Sequence, residues 1–228
     1  AALAGMFHLV NHSIFKGSLF MVIGIIDHEA GTRDIRRLGG LLNFMPVSFT
    51  LAIIGSFSMA GLPPFSGFLS KEMFFTGLLD ASRNLEGWIV TLLPIVGWTA
   101  SIFTFVYCMI LVFKTFTGPF RPQLLDKKPH EAPLGMLVAP SILAALVIVF
   151  FFFPNVLSYS ILEAVMHSIM PDVLAQGELF EVHIKPWHGW NLELFMTIGV
   201  IFIGVLLYLS LDKWSGIYNN LSKRWTLN

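Results

Sequence analysis

The stretch His8-Leu9-Val10-Asn11-His12-Ser13-Ile14-Phe15-Lys16 sets three titratable side chains, at steps of four, into an otherwise apolar run. On an α-helix each step of four drifts by only about 40° and rises by about 6 Å, so His8, His12 and Lys16 share one face. Their neighbours include Leu3, Met6, Phe7, Leu9, Val10, Ile14 and Phe15, followed by Leu19-Phe20-Met21-Val22-Ile23. Such a surface suits lipid or a bundle core, not water. The stretch reads as a polar line drawn along a membrane helix.

Composition agrees with that reading. Of 228 residues, 55% are hydrophobic and 12% charged, and the mean hydropathy is +0.74; soluble domains carry about 25% charge. The chain is expected to be an all-α integral membrane protein in contact with the lipid bilayer. Fourteen basic and fourteen acidic residues cancel, so no net field points to nucleic acid. The single Cys108 excludes an intrachain disulfide and any cysteine-clustered zinc or iron-sulfur site. No glycine-rich nucleotide loop or nucleophile motif is present, and Pro129-His130-Glu131-Ala132-Pro133 lacks the second histidine of a metalloprotease helix. The expectation is a protein that is not an enzyme and that carries no cofactor and no metal. The opening Ala1-Ala2-Leu3-Ala4-Gly5-Met6, without an initiator Met or a basic leader, suggests a portion of a longer polypeptide.

A hydrocarbon core of about 30 Å needs about 20 apolar residues as helix, and five regions qualify. The first runs from the start to about Ile26 and is closed by Asp27-His28-Glu29 and the Gly31-to-Gly40 loop, where charge and glycine stop a helix. The second runs from about Pro46 to Leu79 but contains Gly61-Leu62-Pro63-Pro64, where two adjacent prolines remove two donors and bar α geometry before them. The helix must break there, with Ser66 and Gly67 extending the break. The third covers about Gly87 to Phe116, the fourth about Leu134 to Phe153, and the fifth about Leu192 to Leu211, ending at Asp212-Lys213-Trp214. Residues Val156 to Met170 form a shorter mixed pattern, with Glu163 and His167 one turn apart, expected to lie at the interface. Three parts follow: 1–154 as the main helix bundle, 155–191 as an outer interfacial helix and loop, and 192–228 as a further span and cytoplasmic tail.

If the first helix runs inward, ten Lys and Arg residues fall in inner connections and two, Arg83 and Lys185, in outer ones, leaving Lys16 and Lys71 within the membrane. That asymmetry places the C-terminus in the cytoplasm. Lys16 then lies about 15 Å from the inner end of its helix, near the midplane. A lysine there costs about 2.5–3.5 kcal/mol on insertion scales, so it should face the bundle interior or a water-filled cavity. His8 and His12 continue its line outward. Direct proton transfer needs heavy atoms about 2.6–3.2 Å apart, well below the rise between these positions, so the expectation is a hydrated relay. Asn11, Ser13 and Ser18 are candidates to hold its water.

Ser70-Lys71-Glu72 follows the break at once. Irregular backbone is tolerated at membrane depth only where protein or a cavity satisfies it, so a broken helix followed by Lys and Glu points to an ion pathway. Adjacent helical residues point about 100° apart, so Lys71 and Glu72 need not pair. The competing readings are a snorkelling pair for Lys71 and Glu72, a packing kink for Pro63 and Pro64, and interhelical contacts for the histidine-lysine line. His183, His188, Glu178 and Glu181 match no tight metal spacing and are read as a contact with a neighbouring polypeptide.

Three segments carry a resemblance. Met6-Phe7-His8 with Asn11-His12-Ser13-Ile14-Phe15-Lys16, the loop Asp34-Ile35-Arg36-Arg37-Leu38-Gly39-Gly40-Leu41, and Ala60-Gly61-Leu62-Pro63-Pro64-Phe65-Ser66-Gly67-Phe68-Leu69-Ser70-Lys71-Glu72 closely resemble the antiporter-like membrane subunits shared by respiratory complex I and the Mrp-type multisubunit cation/proton antiporters. The likeness covers about residues 1–150. His183-Ile184-Lys185-Pro186-Trp187-His188-Gly189-Trp190-Asn191 resembles, more narrowly, the A subunits of the Mrp-type antiporters. The resemblance implies that His8, His12 and Lys16 are the proton-conducting residues of a late relay helix and that Lys71, with Glu72 beside it, leads to the outer half-channel. It further implies H⁺ and Na⁺ as the ions, other membrane subunits as partners, and the bacterial cell (inner) membrane as location. The alternatives are a proton-pumping subunit of complex I and a structural anchor subunit. The earlier Glu/Lys pair and earlier broken helix of the family have no counterpart here.

Overall fold

The computed structural model describes residues 2–83, 87–169, 183–185, 187 and 189–225. Those residues form helices and loops, with no strand among them. α1 spans Ala2–Ala30, α2 Pro46–Ala60, α3 Ser66–Arg83, α4 Ile89–Met109 and α5 Leu134–Phe152. A short α6 (Asn155–Leu157), a π turn (Ser158–Leu162) and α7 (Glu163–Ile169) follow, and α8 runs Leu192–Trp225. Among the described residues, four stretches are long and apolar enough to cross a membrane, Ala2–Ala30, Ile89–Lys114, Leu134–Phe152 and Leu192–Leu211, and Pro46–Ala60 is a shorter apolar helix.

The break falls where the prolines put it. α2 starts with Pro46 in its first turn, where a missing donor costs nothing. It ends on Gly61 in the left-handed conformation, with Gly61 N–H donating to Ser58 O and Leu62 N–H to Phe57 O, the paired bonds that close a helix on glycine. Pro63 and Pro64 cannot donate, and α3 resumes at Ser66. Its early N–H groups need partners; the Ser58 hydroxyl supplies one by accepting from Gly67 N–H at 3.1 Å.

α1 is the central element, packed against α2, α3 and α5. At one end of the bundle Ile25, Ile26, Leu41, Met45, Leu51, Val112, Phe116 and Leu137 close a core. Phe7, Phe68, Leu69, Leu157 and Leu162 form another at the opposite end. A third, with Phe75, Ile102, Phe105 and Val200, fastens α8 against α3 and α4. Large apolar side chains left outside, among them Phe20, Phe103, Leu134, Phe202 and Leu209, make the lipid-facing surface expected from the hydropathy.

Two helices run past the ends of their apolar spans. α1 passes through Asp27-His28-Glu29 to Ala30 and stops before the glycine loop at Gly31, with Glu29 buried and its carboxylate oxygens 3.0 Å from His28 Nδ1 and 3.1 Å from His130 Nε2. The apolar span of α8 is Leu192–Leu211, as expected, but the helix continues through Asp212-Lys213-Trp214 to Trp225. In both cases charge ends an apolar run without removing a backbone donor, so the hydrogen-bond ladder continues past it.

The loops at the core end of α1 are tied together by polar bonds. Arg37 donates to Leu124 O and pairs with Asp126. Arg36 forks onto Asp34, which holds that carboxyl at about 2, below its ordinary value. Glu131 accepts from Val47 N–H at 2.6 Å, Ser48 N–H at 3.3 Å and the Ser48 hydroxyl at 2.6 Å. A carboxylate at a helix N-terminus is favoured by the exposed donors and the dipole. Glu131→Ala should therefore destabilise the fold by about 1–2 kcal/mol, read as a lower melting temperature of the detergent-solubilised full-length protein, with Glu131→Gln falling between.

Candidate functional site: a histidine- and lysine-lined cavity

Lys16 stands fourteen residues from either end of α1. His8 and His12 precede it on the same face, their ring centroids 5.7 Å apart, and His12 meets Phe15 edge-on at 5.3 Å. Across from them α3 presents Ser70 and Lys71, and α4 presents Tyr107. His8 Nδ1 lies 2.7 Å from Ser70 Oγ. Lys16 Nζ donates to the Tyr107 hydroxyl at 3.1 Å and sits 5.5 Å from the centre of its ring. The Tyr107 hydroxyl donates in turn to Met59 Sδ at 2.6 Å.

Lys71 reaches this region because of the break. Its ammonium donates to Ala60 O at 2.8 Å, a carbonyl at the C-terminal end of α2 with no intrahelical partner. A cation is favoured there by the helix dipole. Gly61 makes the approach possible twice over. Its φ of +79° disfavours a side chain, and a Cβ would run into the Lys71 stem. Gly67 packs so closely on Ser58 that a Cβ would overlap the Ser58 carbonyl.

His8, His12, Lys16 and Lys71 all line one cavity of about 370 Å³, whose walls include Ser58, Gly67, Ala100, Ser101 and Tyr107. Room for several waters exists in that volume. Glu72 opens instead onto a separate cavity of about 500 Å³, which it lines with Thr76, Asp80, Asn191 and Glu193. Lys71 and Glu72 thus serve different faces of α3. Thr76 Oγ1 donates to Glu193 Oε1 at 3.2 Å, tying α3 to the start of α8.

Of the residues named from sequence, the structure brings His8, His12, Lys16, Lys71 and Gly67 to one cavity, sets Pro63 and Pro64 in the link that turns α2 into α3, and directs Glu72 elsewhere. Of the candidate water holders, Ser13 and Ser18 bond to backbone carbonyls, Leu9 O and Pro140 O. Asn11 donates to Phe7 O and keeps its buried Oδ1 without a partner. Two partners escape the sequence reading. Ser70 enters it only as a neighbour of Lys71, and Tyr107 only as part of an apolar span, although a phenol deep in such a span is itself a signal. His183 is among the described residues, whereas His188, Glu178 and Glu181 lie outside them, and no group of three or more metal-type ligands occurs among the described residues.

A profile of the family described as "NADH:quinone oxidoreductase/Mrp antiporter, TM" matches residues 1–104. Residues 1–104 are therefore similar to the antiporter-like membrane subunits that this family describes. The whole chain is 57% identical to the A subunit of the Na⁺/H⁺ antiporter of Bacillus subtilis (strain 168), covering 100% of this chain and 29% of that relative. It is 56% identical, with the same coverage, to the A subunit of the Na⁺/H⁺ antiporter of Alkalihalophilus pseudofirmus. The chain thus spans 29% of the length of these antiporter subunits. Among solved structures, the Mrp complex from Dietzia sp. DQ12-45-1b matches with a TM-score of 0.69 and 28% identity, over 99% of this chain and 24% of that one. The membrane-bound sulfane sulfur reductase, an archaeal respiratory membrane complex, shares the fold at a TM-score of 0.60 and 19% identity, over 99% of this chain and 43% of that one. The likeness drawn from the sequence, to the antiporter-like family and within it to the A subunits, holds.

The tight approach of α3 to Ser58 gives a test of how this cavity is built. Gly67→Ala should destabilise the full-length protein by about 1–3 kcal/mol through overpacking. Gly135→Ala, in α5 with open space around it, should not lower the melting temperature and should raise it slightly if anything.

Proposed function

We propose that this chain is the proton-conducting part of the A subunit of a multisubunit Na⁺/H⁺ antiporter, in which His8, His12 and Lys16 form a hydrated relay and Lys71 borders its outer end. The observation that carries the reading is the single cavity on which all four side chains converge. Similarity over the full chain to subunits named as Na⁺/H⁺ antiporters supports the ion pair.

The chemistry follows from the spacing. The His8 and His12 rings, 5.7 Å apart between centroids, are too distant for direct transfer, which needs about 2.6–3.2 Å between heavy atoms. Water in the cavity closes the gaps. Each imidazole can take a proton on one nitrogen and release one from the other, since its ordinary pKa lies near neutrality. Ser70, 2.7 Å from His8 Nδ1, orients that ring and leaves Nε2 as the nitrogen available to exchange a proton. Lys16, midway along α1, is the group whose charge couples the proton path to a neighbouring ion. A cation at that depth acts strongly on charges nearby because the surroundings screen it little.

Orientation follows from the charges. The basic loops around Arg33, Arg36, Arg37, Lys127 and Lys128 face the cytoplasm of a bacterial cell, as does the C-terminus. His8 and Lys71 then open toward the outside. Residues 1–154 carry the relay, 155–191 the outer helix and loop, and 192–228 a further span that packs on α4. Other membrane subunits complete the transporter.

The test uses inverted membrane vesicles holding the full-length protein with its partners, with lumenal pH followed as sodium is added in the absence of NADH. Wild type should show a sodium-driven pH change that Lys16→Ala abolishes while the complex stays assembled. Lys16→Arg should fail as well, because a guanidinium does not release its proton. Survival of full exchange in Lys16→Ala would reduce the stripe to scaffold, and proton movement only on NADH oxidation would place the chain in complex I.

A further inference from the structure

Tyr107 belongs to two cavities at once. On one side it lines the chamber of about 370 Å³ that holds His8, His12, Lys16 and Lys71. On the other it lines a separate cavity of about 280 Å³ between α1, the 31–40 loop and the end of α4. That second cavity is walled mainly by Ile and Leu side chains, with Arg33 and Thr115 as its other polar-bearing residues. Apolar cavities of this size tend to stay dry, and apolar constrictions stop ions and protons by excluding water.

The Tyr107 side chain is held at this junction from two directions. Its hydroxyl accepts from Lys16 on α1 and donates to Met59 on α2. Its backbone stands just before a change of helix type: α4 ends at Met109 and a π turn occupies Ile110–Lys114. Ile110 N–H is directed at both the Tyr107 and Val106 carbonyls. Wide turns of this kind loosen the regular ladder and recur at functional positions.

We propose that Tyr107 is a positioning residue that fixes Lys16 at the boundary between the two cavities and keeps the hydrated chamber separate from the path toward the Arg33 loop. This rests on the relay reading above. While the Lys16–Tyr107 bond holds, the ammonium faces the histidine chamber and the phenol ring blocks the dry cavity. When the bond breaks and the ring swings aside, Lys16 meets the second cavity, water follows its charge inward, and the proton leaves by the loop side. The hydroxyl governs how Lys16 is held, and the ring governs the partition, so the two functions are separable by mutation.

The test places Tyr107→Phe, Tyr107→Ala and Lys16→Ala in the full-length protein within its assembled complex, in inverted vesicles. Two quantities are read: the rate of the sodium-driven pH change, and the decay of an imposed pH gradient without sodium. Tyr107→Phe keeps the ring and loses the bond to Lys16; its exchange should slow by about tenfold, as expected for a lost hydrogen bond to a charged group, with gradient decay unchanged. Tyr107→Ala removes the partition and should collapse the imposed gradient several-fold faster than wild type. Wild-type exchange in Tyr107→Phe, or wild-type decay in Tyr107→Ala, overturns the inference. If Lys16→Ala abolishes exchange while the Tyr107 variants behave as wild type, only the Tyr107 role falls; if Lys16→Ala exchanges normally, the relay itself falls.

Discussion

Everything in this bundle depends on how the helix break at Gly61–Phe65 is satisfied. A backbone that leaves α geometry inside hydrocarbon exposes donors and acceptors that lipid cannot answer. Here the answers come from side chains placed for the purpose. Ser58 accepts from Gly67 N–H at the start of α3, and Lys71 gives its ammonium to Ala60 O at the end of α2. The second of these does two things at once. It settles an orphan carbonyl, and it holds a cation beside the histidine chamber, where the cost of burying it is lowered by a hydrogen bond and a helix dipole. Without the break there would be no free carbonyl for Lys71. Without Lys71 the end of α2 would be left unmet.

Much of this was legible in the sequence because the governing signals are local. Hydropathy located the spans, since a membrane helix needs a fixed length of apolar residues whatever it packs against. The adjacent Pro63 and Pro64 located the break, since a missing donor is a property of the residue itself. Helical periodicity placed His8, His12 and Lys16 on one line. What could not be read was how that line meets other helices. Ser70 and Tyr107 sit opposite α1 through tertiary contacts separated by 62 and 91 positions, and no spacing rule reaches that far. The different destinations of Lys71 and Glu72 were open for the same reason: adjacency on a helix fixes the angle between two side chains, not which neighbour each one finds. The helices α1 and α8 outrun their apolar spans because charge marks where a membrane surface lies, whereas a helix ends only where its hydrogen bonds do.

No direct hydrogen bond joins His8, His12, Lys16 and Lys71 to one another, so what lies between them is a matter of volume as much as of chemistry. That volume is made by small residues. Gly67 and Gly97, with Ala100 and Ser101, leave space where larger side chains would fill it. At Gly97 a Cβ would run into Leu78, so the glycine there also sets how closely α4 approaches α3. Close approach of the backbones and an open interior are usually opposed in a bundle. Here they coexist because the glycines bring α3 and α4 together on one side while the polar face of α1 cannot pack tightly against them on the other. A line of histidines and a lysine resists dry packing, since each group needs a partner or water. The polar stripe therefore helps keep open the cavity that it lines, and the residues that shape that cavity include several that carry no charge.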